Sequence, residues 1–544
     1  MPQRGFLDLP VEIVIQILRL LPVRDIIISR AICHALRDTV NRSLELQYTI
    51  ELAADGLKDG PRYPGSLTTG ARLELLLDRR RRWRQLDWEK METVSLPGTC
   101  QAYEMVDGVF AKSTGGPGSD SWSASRHLIM TWLPSRSQGG QTIIREDLGL
   151  ASRDFAIDPT QDLIALVTIL ESAGFHLQIK VHLRTMSHNT PHPQAAKPYL
   201  TASIPFQVGS CFVQIVEDMI GMFFWVHGPG FVIWNWRTGE QIVERTEQLP
   251  AGTWDFAFIS SRAFMLTTVD GPGSIELFTF EAEPSVDGHF PAPRHVASLQ
   301  LPAIQAGKEL SSFSTHSSPF LAHPAAGNVP LCASQDERIH ALSLRYGDRA
   351  GLRILMIMKN TFLLRLIPSE SSVSTGKKAE KIVLPWEEWG PANTRFLDWM
   401  IRSSWLRYVH GQRIVLPEVP FASPSDRDMS LQPVCVMDFN VHPKRIDDPC
   451  VLRGDNPTKA VSSCSPPSTP LGTYELISDP TVISKEDTFT QDIVSSLPYA
   501  MSTRLFSPDY TGFMIDEERL VGMKHMAFAE TGTPSDRDMD VFVF

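Results

Sequence analysis

The chain has 544 residues, 42% of them hydrophobic and 21% charged, and a formal net charge of -11. That supply of apolar side chains excludes global disorder, and the acidic balance argues against a general nucleic-acid binder, which needs basic surface to neutralise phosphates. At roughly 100–200 residues per domain, the length allows several domains, or one small and one large.

The seven cysteines are scattered, odd in number and never spaced CxxC, so a disulfide framework or a zinc site is not expected and a reducing compartment is. Asp8, Glu12 and Arg19 interrupt what a secretory signal would need. No apolar run approaches the roughly 18 residues needed to span a bilayer. The best candidate, 220–234, is cut by His227-Gly228-Pro229-Gly230. The expectation is a protein of the cytoplasm, the nucleus or both, with no membrane or nucleic-acid partner.

The first forty residues are punctuated like three short helices. Asp8-Leu9-Pro10 opens the first, with proline at a helix start where a missing N–H does no harm. Ile13, Ile17, Leu20 and Leu21 recur at helical spacing and Pro22 stops the run. Asp25 is placed to cap a second helix, which continues through Ile26, Ile27 and Ile28. Ile32, Leu36 and Val40 mark a third helical face. A unit this small cannot hide all these side chains within itself. Leu9, Val11, Val14, Leu18 and the isoleucines should leave an apolar patch, which packs either on the rest of the chain or on a partner.

Leu9-Pro10-x-Glu12-Ile13, Ile17-Leu18-x-x-Leu21, Asp25-Ile26-Ile27 and Ile32-Cys33-x-x-Leu36-Arg37 together resemble an F-box. Leu36 stands where that family most often has tryptophan, and Ala31 is smaller than usual. The resemblance implies docking onto a Skp-type adaptor, and through it onto a cullin–RING ubiquitin ligase. It carries over to Leu9, Pro10, Ile13, Ile17, Leu18, Leu21, Ile26, Ile32 and Leu36 without separating residues that face the adaptor from those that form the F-box core.

Residues 1–50 are therefore assigned to the F-box and 51–91 to linker helices. Leu44 to Leu52 either prolongs the third helix or forms a fourth, and 56–65, with Pro61 and Pro64, reads as a loop. Thr68 or Thr69 caps a helix over 71–87, where Leu73, Leu76, Leu77 and Trp83 share a face. This helix carries Arg79, Arg80, Arg81, Arg82 and Arg84. A basic run of this kind is either a targeting or nucleic-acid signal or a solvated helix face whose arginine stems cover apolar surface, and the acidic chain favours the second. The stretch resembles the linker helix that follows the F-box in many fungal F-box proteins.

From 92 to 544 the texture changes to short β-rich runs between Gly, Pro, Ser and Asp clusters. Asp154 to Val167 reads as strand, turn, strand, and 175–183 alternates like a strand. Strands are expected over 215–226, 254–258, 263–269, 275–280, 338–344, 352–358, 361–367, 413–416, 433–439, 512–516, 518–524 and 540–544. Pro424-Ser425-Asp426-Arg427-Asp428-Met429 returns as Pro534-Ser535-Asp536-Arg537-Asp538-Met539. Gly230-Phe231-Val232-Ile233-Trp234-Asn235-Trp236-Arg237-Thr238-Gly239-Glu240 resembles the third strand and outer hairpin of a WD-type propeller blade. The fold class expected is α+β multidomain: helical F-box and linker, then a large all-β domain, a β-propeller of six to eight blades at about 40–50 residues each. Two β-sandwiches are the alternative.

No enzymatic anchor emerges. Histidines 182, 188 and 192 cluster around 187–193, a Pro-rich, loop-like segment without metal-ligand spacing, and Gly115-Gly116-Pro117-Gly118 lacks the lysine of a phosphate loop. No G-x-S-x-G elbow occurs. Phe223, Phe224, Trp225, Trp234 and Trp236 read as β-core, although one at a blade end could line a recognition pocket. The reading is a non-catalytic subunit without cofactor or metal. Its F-box binds a Skp-type adaptor and its β-domain holds an unknown target protein for ubiquitination. The alternatives are an adaptor-bound scaffold without ligase activity and a ligand-binding propeller whose N-terminal helices cap its own fold.

Overall fold

The computed structural model describes residues 6–60, 67–98, 100–115, 124–171, 177–204, 208–226, 229–245, 248–322, 331–348, 351–368, 381–397, 407–417, 431–441, 471–485, 488–507, 509–524 and 538–544. Helices α1 (Val11–Arg19), α2 (Val23–Ile32), α3 (His34–Arg42) and α4 (Leu44–Ala54) come first, and the longer α5 (Thr69–Gln85) follows. Proline sits at the N-cap of both α1 (Pro10) and α2 (Pro22). Asp25 does not cap α2 as expected. It lies in the first turn, where its carboxylate faces the positive helix end, and Pro22 starts that helix instead of only ending the one before. Ser43 caps α4, making it a separate fourth helix, and Thr68 caps α5 by accepting a bond from the Ala71 amide at 3.3 Å.

Val14, Leu18, Ile26, Leu36, Val40, Leu46 and Ile50 close a core among α1–α4. A second, smaller core joins Tyr48 and Leu52 of α4 to Leu57, Leu76 of α5, and Leu331. Part of the 56–65 segment, expected as loop, is the strand Leu57–Asp59, which pairs antiparallel with Leu331–Ala333. Its backbone groups are satisfied by a β-domain segment far away in sequence.

The β-domain is a propeller of seven blades, each an antiparallel sheet of four strands or a five-stranded variant of it. The blades follow chain order. Blade 1 starts at Ala102–Val106, blade 2 at Asp154–Asp158, blade 3 at Val208–Val216 and blade 4 at Thr253–Ser260. Blade 5 starts at Leu310–Ser317, blade 6 at Val409–His410 and blade 7 at Gly512–Ile515. Each of these first strands is the innermost of its sheet. Strand Lys90–Ser95, before blade 1, adds as the outer strand of blade 7, with Lys90 opposite Val543 and Ser95 opposite Asp538. The ring is thus closed by a ladder between the two ends of the β-domain.

The WD-like stretch forms the third strand of blade 3 (Gly230–Asn235) and its outer hairpin (Glu240–Arg245). The Asn235 side-chain oxygen accepts from the amides of Arg237 and Thr238 at 3.0 and 3.1 Å, an Asx turn, and Gly239 takes φ +73°. Trp234 and Trp236 are fully buried, and their indole N–H groups donate to the carbonyls of Thr201 and Glu217. Phe223 and Phe224 are buried too.

Two strand expectations fail locally. Residues 215–226 are not one strand: Glu217, at φ +54°, and Asp218 turn the chain between Val208–Val216 and Met219–Val226. Residues 361–367 are not a strand either. Asn360–Arg365 is a short helix that buries Leu363, and the outer strand of blade 5 comes later, at Thr394–Leu397. A short apolar run such as Thr361-Phe362-Leu363-Leu364 suits a helical turn as well as a strand buried on both faces, and here buried Asn360, bonded to His340 and the Ile259 carbonyl, opens a helix. The first copy of the hexapeptide repeat lies outside the described residues. The end of the second, Asp538-Met539, begins the third strand of blade 7.

Candidate functional site

Two surfaces and the joint between them are the candidates for function. The first is the outer face of α1–α3. Leu9, Pro10, Ile13, Leu21 and Ile32 are exposed, Ile32 by 68%, and Ile17 is half-buried. Leu18, Ile26 and Leu36 are buried and hold the helices together. The nine residues drawn from the motif thus divide into an outward face and an inward one. Helix α1 is apolar on both sides, so periodicity could not tell which stripe would be covered. Phe6, Val11, Leu20, Ile28 and Leu44 extend the exposed apolar surface, Leu20 at 85%. Their hydrophobicity is visible in the sequence, but nothing there shows that α4 covers the Val14–Leu18 side instead.

The joint is α5. Its arginines are not a free basic patch, and apart from half-exposed Arg81 they are not a solvated face. Arg79 is buried and paired with Glu517 of blade 7, which also accepts from His410 Nε2 at 3.1 Å. Burial alone would raise the Glu517 carboxyl, but Arg79, His410 and Arg413 override it and hold it down at about 2. Arg80 ties α5 back to α4 through Glu51 at 2.7 Å and Asp55 at 3.0 Å. Arg82 and Arg81 pair with Asp78 and Asp87. Arg84 lies over the Tyr474 ring.

The aromatic side chains of this segment are equally committed. Trp83 stacks on Phe544 with centroids 4.1 Å apart, and Arg413 caps its other face at 4.6 Å. Arg504 covers Trp88 at 3.6 Å. Leu86, at φ +47° in the left-handed region, ends α5 and is wholly buried in the propeller core.

The second surface is the propeller axis. A cavity of about 630 Å³ is bounded by the inner strands of blades 1 to 5 and by Arg407. Arg407 bridges across it to Glu104 of blade 1. Polar side chains along the wall stitch neighbouring blades. Gln214 accepts from the Phe258 amide at 3.2 Å, and Asp255 from the Thr315 amide at 2.7 Å. The sequence offers no signal for this site, because its residues come from separate strands spread over some 300 positions.

The histidine loop assembles no metal site: His182 lies by Thr168, His188 by Ser187, and buried His192 faces the Gln161 carbonyl. Among the described residues no group of three or more metal-ligating side chains occurs. Gly116 to Gly118 lie outside the described residues, as does the side chain of Trp225.

The F-box domain family matches residues 6–47. No curated protein matches the chain. Among solved structures it is similar to the WD40 domain of SCAP from fission yeast, at 9% identity and a TM-score of 0.32, over 76% of this chain and 97% of that one. It is also similar to Chaetomium thermophilum Sqt1 bound to the N-terminus of the ribosomal protein L10, at 11% identity and a TM-score of 0.26, over 48% and 59%. A complex of KlAtg21 with the coiled-coil of AgAtg16 matches at 9% identity and a TM-score of 0.28, over 61% and 77%. The chain carries an F-box followed by a seven-bladed β-propeller.

Proposed function

We propose that this chain is the substrate-recognition subunit of a Skp–cullin–F-box type ubiquitin ligase. The observation that carries the reading is an F-box whose own core is complete while its outer face leaves Leu9, Pro10, Ile13, Leu21 and Ile32 in water. Contiguous exposed apolar surface of this kind favours a docked partner. That face binds a Skp-type adaptor, and the propeller holds the target. F-boxes and WD40-like propellers are typically non-catalytic recognition modules. The chain supplies proximity, which raises the effective concentration of target at the ligase. This work takes place in the cytoplasm, the nucleus or both.

The self-capping alternative is less well supported. It is α5 with α4 that reaches the blades, through Trp83, Arg79 and the strand Leu57–Asp59, while α1–α3 build their own core against α4. The test is a pull-down of purified Skp-type adaptor by the intact chain and by a Leu9→Ala, Ile13→Ala, Ile32→Ala variant, with circular dichroism on both. Binding by the intact chain and its loss in an equally folded variant is the expected result. A folded intact chain that captures no adaptor overturns the reading. Adaptor binding without cullin in the recovered complex leaves a scaffold rather than a ligase subunit.

A further inference from the structure

The axial cavity has the size of a ligand site and a charge distribution with a gap in it. Eight of its lining residues carry titratable or charged groups: Tyr103, Glu104, Arg153, Asp154, Cys211, Asp255, His316 and Arg407. Glu104 and Arg407 neutralise each other in a bidentate pair. His316 is held neutral, its pKa pushed down to about 4 by burial and by Arg407. Burial and nearby Asp154 raise the Cys211 thiol.

Two carboxylates remain. Asp255 accepts from the amides of Phe256 and Thr315 at 2.8 and 2.7 Å, so both its oxygens stitch backbone. Asp154 accepts from the Phe155 amide at 2.8 Å, and no side chain among the described residues donates to it. Arg153 acts on it only at a distance. Burial raises both carboxyls to about 7, outweighing the backbone amides at each and the charge of Arg153 at Asp154. The Thr315 hydroxyl, on the same wall, is buried and bonds to nothing among the described residues.

We propose that the axial cavity receives a basic side chain, arginine or lysine, from a segment of the target protein, with Asp154 as its carboxylate partner. The inference rests on the propeller being the target-binding part of the chain. Its volume exceeds that of one side chain and accommodates the flanking residues of an extended segment. The chain's net charge of -11 favours the approach of a basic segment. The Asp255 carboxylate and the Thr315 hydroxyl line the same chamber and add acceptors for a guanidinium, whose planar fork suits several oxygens at once.

The experiment is titration calorimetry of the full chain with acetyl-Gly-Arg-Gly-amide, with its lysine counterpart, and with peptides carrying citrulline or glutamate in the central position. Citrulline keeps the shape of arginine and removes the charge. The cationic peptides should bind about tenfold or more tighter than the citrulline one, since charge-assisted bonds are roughly twice as strong as neutral ones. Asp154→Asn should abolish that preference, while Asp147→Asn, on an exposed loop, should not. Thermal melts of both variants check that the propeller is intact.

Equal binding of arginine and citrulline peptides, a preference that survives Asp154→Asn, or no heat from any peptide overturns the inference. The F-box triple variant serves as a separator. It should keep peptide binding while losing adaptor, so loss of the ligase reading and loss of the cavity assignment give different results.

Discussion

In α1 and α2, leucines and isoleucines lie in water. In α5, an arginine is sealed inside the molecule. Ile32 is 68% exposed, whereas Arg79 is 6% exposed. The difference lies in what each segment meets. The F-box helices satisfy their core with one face and have apolar side chains left over. Helix α5 runs against a propeller surface that offers Glu517 to Arg79 and the Tyr474 ring to Arg84, so these charges find partners at short range. Polarity therefore does not report burial here. An apolar run is left in water, and a basic run forms the seam between two structural units.

The sharpest way to break this contrast is to strand the buried charge. Glu517→Ala leaves Arg79 buried without its partner and should cost about 3–5 kcal/mol of stability in denaturant titration, the range for breaking a buried pair. Trp83→Ala removes the stack on Phe544 and the surface under Arg413, and should cost about 3–5 kcal/mol. If either variant is as stable as the parent, α5 is not the seam.

The same pair gives a pH signature. Glu517 titrates at about 2 in the folded chain against an ordinary value of 4.5. A depressed carboxyl stabilises the fold above its unfolded pKa, and that contribution is lost as pH falls from 4.5 towards 2. The stability gap between the parent and Glu517→Gln should shrink across that window and stay constant above about pH 5.5.

The F-box face should behave in the opposite way. Leu18→Ala, in the helical core, should destabilise that unit by about 2–5 kcal/mol. Ile32→Ser, on the exposed face, should change stability by under about 0.5 kcal/mol yet weaken adaptor binding by 1 kcal/mol or more, roughly fivefold. Comparable stability losses in both would mean that the face is covered within the chain. The smallest effect is expected at Arg81, about half-exposed and paired with Asp78. Arg81→Ala should cost under about 1 kcal/mol, and less in high salt.

Much of the architecture was legible in residue order. The F-box motif reads locally because Pro10 and Pro22 start α1 and α2 and the apolar positions of each short helix recur within a few residues. The blade 3 hairpin reads locally because Asn235, Thr238 and Gly239 build the turn from backbone chemistry within a few residues. Blade 1 carries a comparable signal, the two-residue turn Asp107-Gly108 with both residues at positive φ between its first two strands, and it was passed over. The helix Asn360–Arg365 was misread because a short apolar run looks alike in either state.

By itself the sequence determined that short helices open the chain, that short strands follow, and that a WD-like turn lies among them, since all three rest on contacts between near neighbours in the chain. Only the tertiary structure decided the rest: seven blades, closure through Lys90–Ser95, which motif residues face water, and the pairing of Arg79 with Glu517. Each joins positions far apart along the chain. Burial and charge pairing depend on which surfaces meet in space, and no local pattern of residues encodes that meeting.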